Sequence, residues 1–292
     1  MKLAALKYSN KKGYGIGRIE ADGSVRDLTD LTGKESLTSF DINQCFDLDG
    51  EIWRTLGDPS AGRTVDRQQI PLAAPIPRPG KVICIGLNYR NHAIEAKMAI
   101  PTSPIIFSKF SSCVIGPDEP ILLPSLSAQV DYEAELAVVI GRRAKAIKKA
   151  DARSVILGYC NFNDVSARDL QFADGQWQRG KSCDTFAPMG EYIVTADEVP
   201  EPEDLRIRFR LNGETLQDSS TSELIFGVSE LIAFLSNHIT LEPGDVIATG
   251  TPPGVGFARD PQIFLEDGDV CEVEIEGLGI LRNPVIASNV NV

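Results

Sequence analysis

The run "VDYEAELAVVIG", residues 130–141, constrains the fold more than any other stretch of the chain. Side chains alternate across a strand, so Asp131, Glu133 and Glu135 share one face while Tyr132, Ala134 and Leu136 share the other. The second half, "LAVVIG", is apolar on both faces, the pattern of a strand covered from both sides. A fold that accepts this run must bury a strand between two layers and compensate the carboxylates at its mouth, because an unpaired buried charge is costly. A cation, a basic cluster or water can do so. The chain carries its own control in "CEVEIEG", where Glu272, Glu274 and Glu276 alternate opposite Val273 and Ile275. A solvated hairpin face explains those three, so alternating acids alone do not make a metal site.

The remaining composition narrows the class. With 292 residues, 42% hydrophobic and 24% charged, the chain can bury a full core as one large domain or a large and a small one. A net charge of -12 argues against non-specific nucleic-acid binding, which needs a basic footprint. Cys45, Cys84, Cys113, Cys160, Cys183 and Cys271 form no C-x-x-C pair and read as reduced. The start, "MKLAALKYSNKKG", turns polar too soon for a signal segment, and no apolar run approaches a membrane span. From those absences we expect a cytoplasmic protein with no membrane partner.

The turn and strand signals describe an α+β, mainly β chain. Residues 1–70 read as a small N-terminal β-rich domain opening with a meander whose turns fall at "NKKG" (10–13) and "ADGS". A short helix is expected around residues 42–57. Pro71, Pro75, Pro77 and Pro79 make residues 71–80 a linker. Residues 81–292 read as a second, larger domain, the catalytic one if the motifs below carry chemistry. There "KVICIG" is a buried strand, and Asn88 or Asn91 is placed to cap a short helix. Ser166 with Asp169 has capping-box spacing, Asn212-Gly213 marks a hairpin, and residues 221–238 have helical periodicity.

Several residues carry chemistry. Asp164 ends the apolar run "VILGYCNF", where side chains gather at a sheet edge, though a turn hydrogen bond explains it equally well. Glu133, Glu135 and Asp164 together would make an oxygen-only site suited to Mg²⁺ or Mn²⁺, with Ca²⁺ also admitted. His92 and Glu95 lie three apart on one helix face, so a glutamate could fix the imidazole tautomer and leave a general base; an incidental exposed pair is the bland alternative. Arg168, Gln171 and Lys181 could receive an anionic substrate or be ordinary surface groups. His238 ends a helix, where a cation complements the dipole, and is given no chemistry. "PGDVIATGTPPGVG" lacks the spacing of a nucleotide-binding P-loop.

With those residues in place, the chain resembles the fumarylacetoacetate hydrolase family. The stretches that carry the resemblance are "GLNYRNHAIEAK", "PIIFSKFSSCVIGP", "VDYEAELAVVIG", "NDVSARDLQ", "GKSCDTFAPMG" and "EPGDVIATGTPPGVG", in that order over residues 80–286. The resemblance implies a mixed β-roll, a homodimer, a divalent cation on Glu133, Glu135 and Asp164, and a His92–Glu95 dyad on a lid. It also implies catalytic Lys181 and substrate contacts at Arg168, Gln171 and Thr251. No match to a fourth metal-binding acid is evident in "VICIGLN", and Glu191 in "PMGE" departs from the usual Pro-x-Gly-Pro. The expected activity is metal-dependent C–C hydrolysis of a 2,4-dioxo acid, with oxaloacetate decarboxylation or keto–enol tautomerisation as alternatives on the same site. A non-catalytic metal-binding domain would have lost some of these residues. Phe107, Lys109, Trp177 and Phe257 are candidates for setting specificity.

Overall fold

Eleven strands join in one mixed sheet in the computed structural model, which describes residues 1–8 and 13–288. Ten of them run across the sheet in the order Arg63–Val65, Val25–Asp27, Tyr14–Ile19, Lys2–Lys7, Ile193–Thr195, Ile156–Asn163, Ala134–Ile140, Val246–Ala248, Val82–Gly86 and Ile105–Lys109. The architecture is α+β and mainly β. Ala134–Ile140 lies in the interior of the sheet, antiparallel to both neighbours, with all seven residues buried. Its alternate side chains feed two cores. Leu136, Val138 and Ile140 join the cluster that includes the helix Val228–His238 and a second sheet, while Ala137 and Val139 join Leu3, Ile16, Phe46 and Val82. That two-sided burial is why the run is apolar on both faces.

The second sheet has the order Glu214–Ser220, Arg206–Leu211, Val270–Ile275, Gly279–Ala287 and Ile121–Leu123. Its inner face shares one core with the first sheet, and Phe209 stacks on Tyr132, just before the strand Ala134–Ile140, with ring centroids 4.0 Å apart. Its hairpin turns on Asn212 and Gly213 with φ of 52° and 83°, as an Asn-Gly turn requires. The control acids behave as read: Glu272 and Glu274 alternate with buried Cys271, Val273 and Ile275 on a half-exposed face, where Glu274 pairs with Arg208 and Arg210.

Several local expectations give way to tertiary contacts. Leu72–Ala73, inside the proline-rich segment read as a linker, pairs with Lys2–Lys7. Lys2–Lys7 itself pairs with Ile193–Thr195, so the first strands extend the main sheet. The helix expected over 42–57 is two, Ser39–Cys45 and Glu51–Leu56. The one expected over 221–238 begins at Val228, after Gly227. Asn88 caps nothing: it is buried, donates to Phe226 O at 3.0 Å and Thr249 O at 2.7 Å, and accepts from Phe226 N. Nor does Asn91 cap, since the helix Arg90–Glu95 contains it and has no side-chain cap. The turn at 10–13 lies outside the described residues apart from Gly13. No helix among the described residues is long and apolar enough to cross a membrane.

Candidate active site

The strand run 130–141 is interrupted at Tyr132 and Glu133, so Val130–Asp131 and Ala134–Ile140 are separate strands. The neighbouring strand Ile156–Asn163 ends opposite Ala134, and Asp164 N donates to Glu133 O at 2.9 Å. This register brings Asp164 beside Glu133 and Glu135. Carboxylate oxygens of the three lie within 4.8 Å of one another, and all three side chains are buried.

Cations answer some of this charge. Lys181 Nζ lies 2.8 Å from both Glu133 Oε2 and Asp164 Oδ2, and Lys109 Nζ lies 2.5 Å from Asp164 Oδ1. Arg168 Nη2 is 2.7 Å from Glu133 Oε1. Glu135 accepts from Gly250 N at 2.9 Å, and among the described residues no cationic side chain pairs with it. Four buried carboxylates, counting Asp131, thus face three buried cations, and the surplus falls on Glu135. Burial, then the charges of Asp164 and Glu133, pushes the Glu135 carboxyl well above its ordinary range. Burial also acts against Glu133, but Lys181, Arg168 and His92 hold its carboxyl down to about 2. An oxygen-only donor set with one uncompensated charge fits a divalent cation, so the triad could hold one.

His92 is buried, with Nδ1 2.9 Å from Glu95 Oε1. Glu95 in turn accepts from Gly254 N, at 2.9 Å on one oxygen and 3.1 Å on the other. A small cavity is lined by His92, Glu133, Glu135, Arg168, Gln171, Lys181 and Thr251. Glu95 lies behind His92, and Asp164 sits beneath the floor with no exposed surface. All nine sequence candidates therefore converge on one place. Gly180 makes the Lys181 approach feasible: a Cβ there would meet Ala167 O and Gln171 N at 2.5 Å.

The sequence reading misplaced some groups. Ser166 and Asp169 do not form a capping box: Ser166 Oγ donates to Asp164 O, and Asp169 accepts from Ser127 Oγ and Ala128 N. Phe107, Trp177 and Phe257 line the cavity, but Lys109 does not and instead grips Asp164 from below. A lysine closing the mostly apolar "PIIFSK" was the available signal. Gln217, given no role from the sequence, donates to Thr251 Oγ1 at 2.9 Å and orients that hydroxyl. The six cysteines are free thiols, and His238 sits edge-on to Phe234 at the end of its helix. Glu191 pairs with Arg67 on the surface.

Comparison with known proteins bears on the family and the fold. The chain is 48% identical over 223 residues to the protein named oxaloacetate tautomerase Fahd2a, mitochondrial, of Rattus norvegicus, covering 76% of this chain and 71% of that one. The structure matches the fumarylacetoacetate hydrolase of psychrophilic Exiguobacterium antarcticum with TM-score 0.84 at 39% identity, over 99% of this chain and 100% of the other. It matches 5-carboxymethyl-2-hydroxymuconate delta-isomerase of Mycobacterium smegmatis with TM-score 0.78 at 38% identity, over the same shares. The cytoplasmic expectation is corrected by these relatives: the rat protein and its counterparts in Xenopus laevis, Bos taurus and Homo sapiens are all named mitochondrial. That expectation rested on missing signals, and a missing signal carries no address. The family model described as Fumarylacetoacetate (FAA) hydrolase C-terminal matches residues 81–286, and the chain belongs to the fumarylacetoacetate hydrolase family of enzymes.

Proposed function

We propose that this chain is a metal-dependent keto–enol tautomerase of a short 2-oxo diacid of the oxaloacetate type. Tautomerisation is one of the two alternatives that the sequence offers beside decarboxylation, and it displaces hydrolysis as the first choice. The observation that carries it is the pairing of His92 Nδ1 with Glu95 beside a buried acid triad, in a chain 48% identical to a protein named oxaloacetate tautomerase. Tautomerisation needs one proton moved between carbon and oxygen, and no attacking water.

The chemistry supplied by a cation on Glu133, Glu135 and Asp164, Mg²⁺ or Mn²⁺ for such hard donors, is polarisation of the 2-oxo group. Glu95 occupies Nδ1 of His92, which leaves Nε2 to take the C3 proton and hand it to the enolate oxygen, and to carry it back from that oxygen to C3 in the reverse direction. Lys181 spends two N–H bonds on Glu133 and Asp164, leaving a third to donate to the oxygen that gains charge. Arg168 and Gln171, with Thr251 opposite, receive the substrate carboxylates.

Hydrolysis of a 2,4-dioxo acid would use the same His92 to activate water; the 39% identity to the Exiguobacterium hydrolase is what favours keeping it as a second reading. The test follows the enol absorbance of oxaloacetate and, in parallel, pyruvate release from oxaloacetate and acetylpyruvate, with Mg²⁺ and after chelation. We expect chelator-sensitive enol–keto exchange without pyruvate. Pyruvate from acetylpyruvate would replace this reading with hydrolysis, and pyruvate from oxaloacetate alone with decarboxylation. We further propose that two copies pair as a homodimer, as the family resemblance implies.

A further inference from the structure

Asp131 is the acid of the 130–141 run that does not join the triad. It is fully buried, and everything around its carboxylate is a donor. Oδ1 accepts from Tyr132 N and Gly256 N, each at 2.8 Å. Oδ2 accepts from Arg168 Nε at 2.8 Å and Phe257 N at 3.1 Å, with Arg168 Nη2 also 2.8 Å away.

These bonds reach two walls of the cavity. On one, the Arg168 guanidinium lies 4.4 Å over the Phe257 ring and donates from Nη1 to Gln171 Oε1 at 2.9 Å. Its Nη2 lies 2.8 Å from Asp131 Oδ2 and 2.7 Å from Glu133 Oε1, so the guanidinium is clamped between two buried carboxylates. On the other wall, Gly254 N holds Glu95, two residues before Gly256 is held by Asp131. Gly256 has no room to shift its approach: a Cβ there would meet Ile263 O at 1.8 Å and Asp131 Oδ1 at 2.7 Å.

We infer that Asp131 is a positioning residue, which holds the substrate-facing Arg168 and the 254–257 loop behind Glu95 and His92 in a single geometry for a carboxylate-bearing substrate. This rests on the proposed role of Arg168 in receiving a carboxylate. Asp131→Asn tests it sharply, because an amide nearly preserves size but turns one end into a donor. With donors on every side, the amide must face either the guanidinium or the backbone N–H groups with the wrong polarity.

The experiment compares wild type, D131N, R168Q and the double variant for turnover and, by calorimetry, for binding of Mg²⁺ and of L-malate, a C4 diacid with no 2-oxo group to enolise. D131N should weaken malate and raise KM by about tenfold while Mg²⁺ affinity stays within about twofold. The double variant should bind malate no worse than R168Q alone, since both changes remove one unit. Additive losses, unchanged malate affinity in folded D131N, or an equal loss of Mg²⁺ affinity would each overturn the inference. If wild type itself binds no malate, the diacid reading fails and a crystal structure of D131N decides. A displaced guanidinium or a 254–257 loop released from Glu95 supports positioning, and both unmoved refutes it. Should D131N not fold, D131E, with its charge one methylene farther out, is read the same way.

Discussion

Glu135 lacks a cation partner, and its raised carboxyl pKa makes the metal-free protein pH-sensitive in a definite direction. A group whose folded pKa is raised contributes stability fully present below its ordinary value, here 4.5, and lost as pH climbs through the raised one. Glu133 works in the opposite sense: with its carboxyl held at about 2, its contribution is present above the ordinary carboxylate value and is lost as pH falls through 2. We therefore expect Glu135→Gln to raise the metal-free Tm at pH 8 by about 2–4 °C, near 1 kcal/mol for a chain of this size, and to flatten its decline with pH. The same variant should lose Mg²⁺ binding. Scanning calorimetry with and without chelator checks both; a destabilised variant that still binds Mg²⁺ would show the surplus charge lies elsewhere. At this scale the residue types were legible, because only acids, a lysine and a histidine can do such chemistry. The roles of Asp131 and Lys109 were not, since their partners lie 37 and 55 residues away.

Two stretches with the same spacing show why local signals divide at the scale of elements. Thr38 and Asp41 form a full capping box at the start of Ser39–Cys45, and the Lys34 pairing, with the bonds to Thr38, lowers the Asp41 carboxyl to about 2. Ser166 and Asp169 have the same spacing and form none, because Asp169 is taken by Ser127 and Ala128 across the structure. Thr38→Ala should cost about 1 kcal/mol of stability, read as a lower denaturant midpoint, with turnover unchanged because Thr38 is exposed and does not line the cavity. A midpoint equal to wild type would mean the box is spent on a helix that frays anyway. The hairpin at Asn212-Gly213 was readable because positive φ at both positions is a local demand. The start of Val228–His238 was not, since the apolar period runs on through the extended Gly227 that precedes the helix.

Pairing of two copies is the expectation that belongs to the whole molecule. Ile105–Lys109 ends the main sheet, and Ile106 and the adjacent Phe110 are 44% and 58% exposed, an open edge with apolar side chains of the kind that pairing covers. Light scattering should give twice 31.7 kDa, and a monomer at micromolar concentration would end that proposal. The sequence by itself determined that residues 136–140 are covered on both sides, because a run of strand with no polar side chain on either face admits no exposed strand. It also held the ordered stretches that mark the family. Only the tertiary structure decided which acids of the 130–141 run act together. Strict alternation puts three on one face, but the break at Tyr132 and Glu133 separates Asp131 from the other two. Asp131 then bonds to Arg168 and the 254–257 loop, while Asp164 takes its place beside Glu133 and Glu135. The reason is that a buried carboxylate must find its donors or cations, and these come from chain segments that only folding brings within 3 Å.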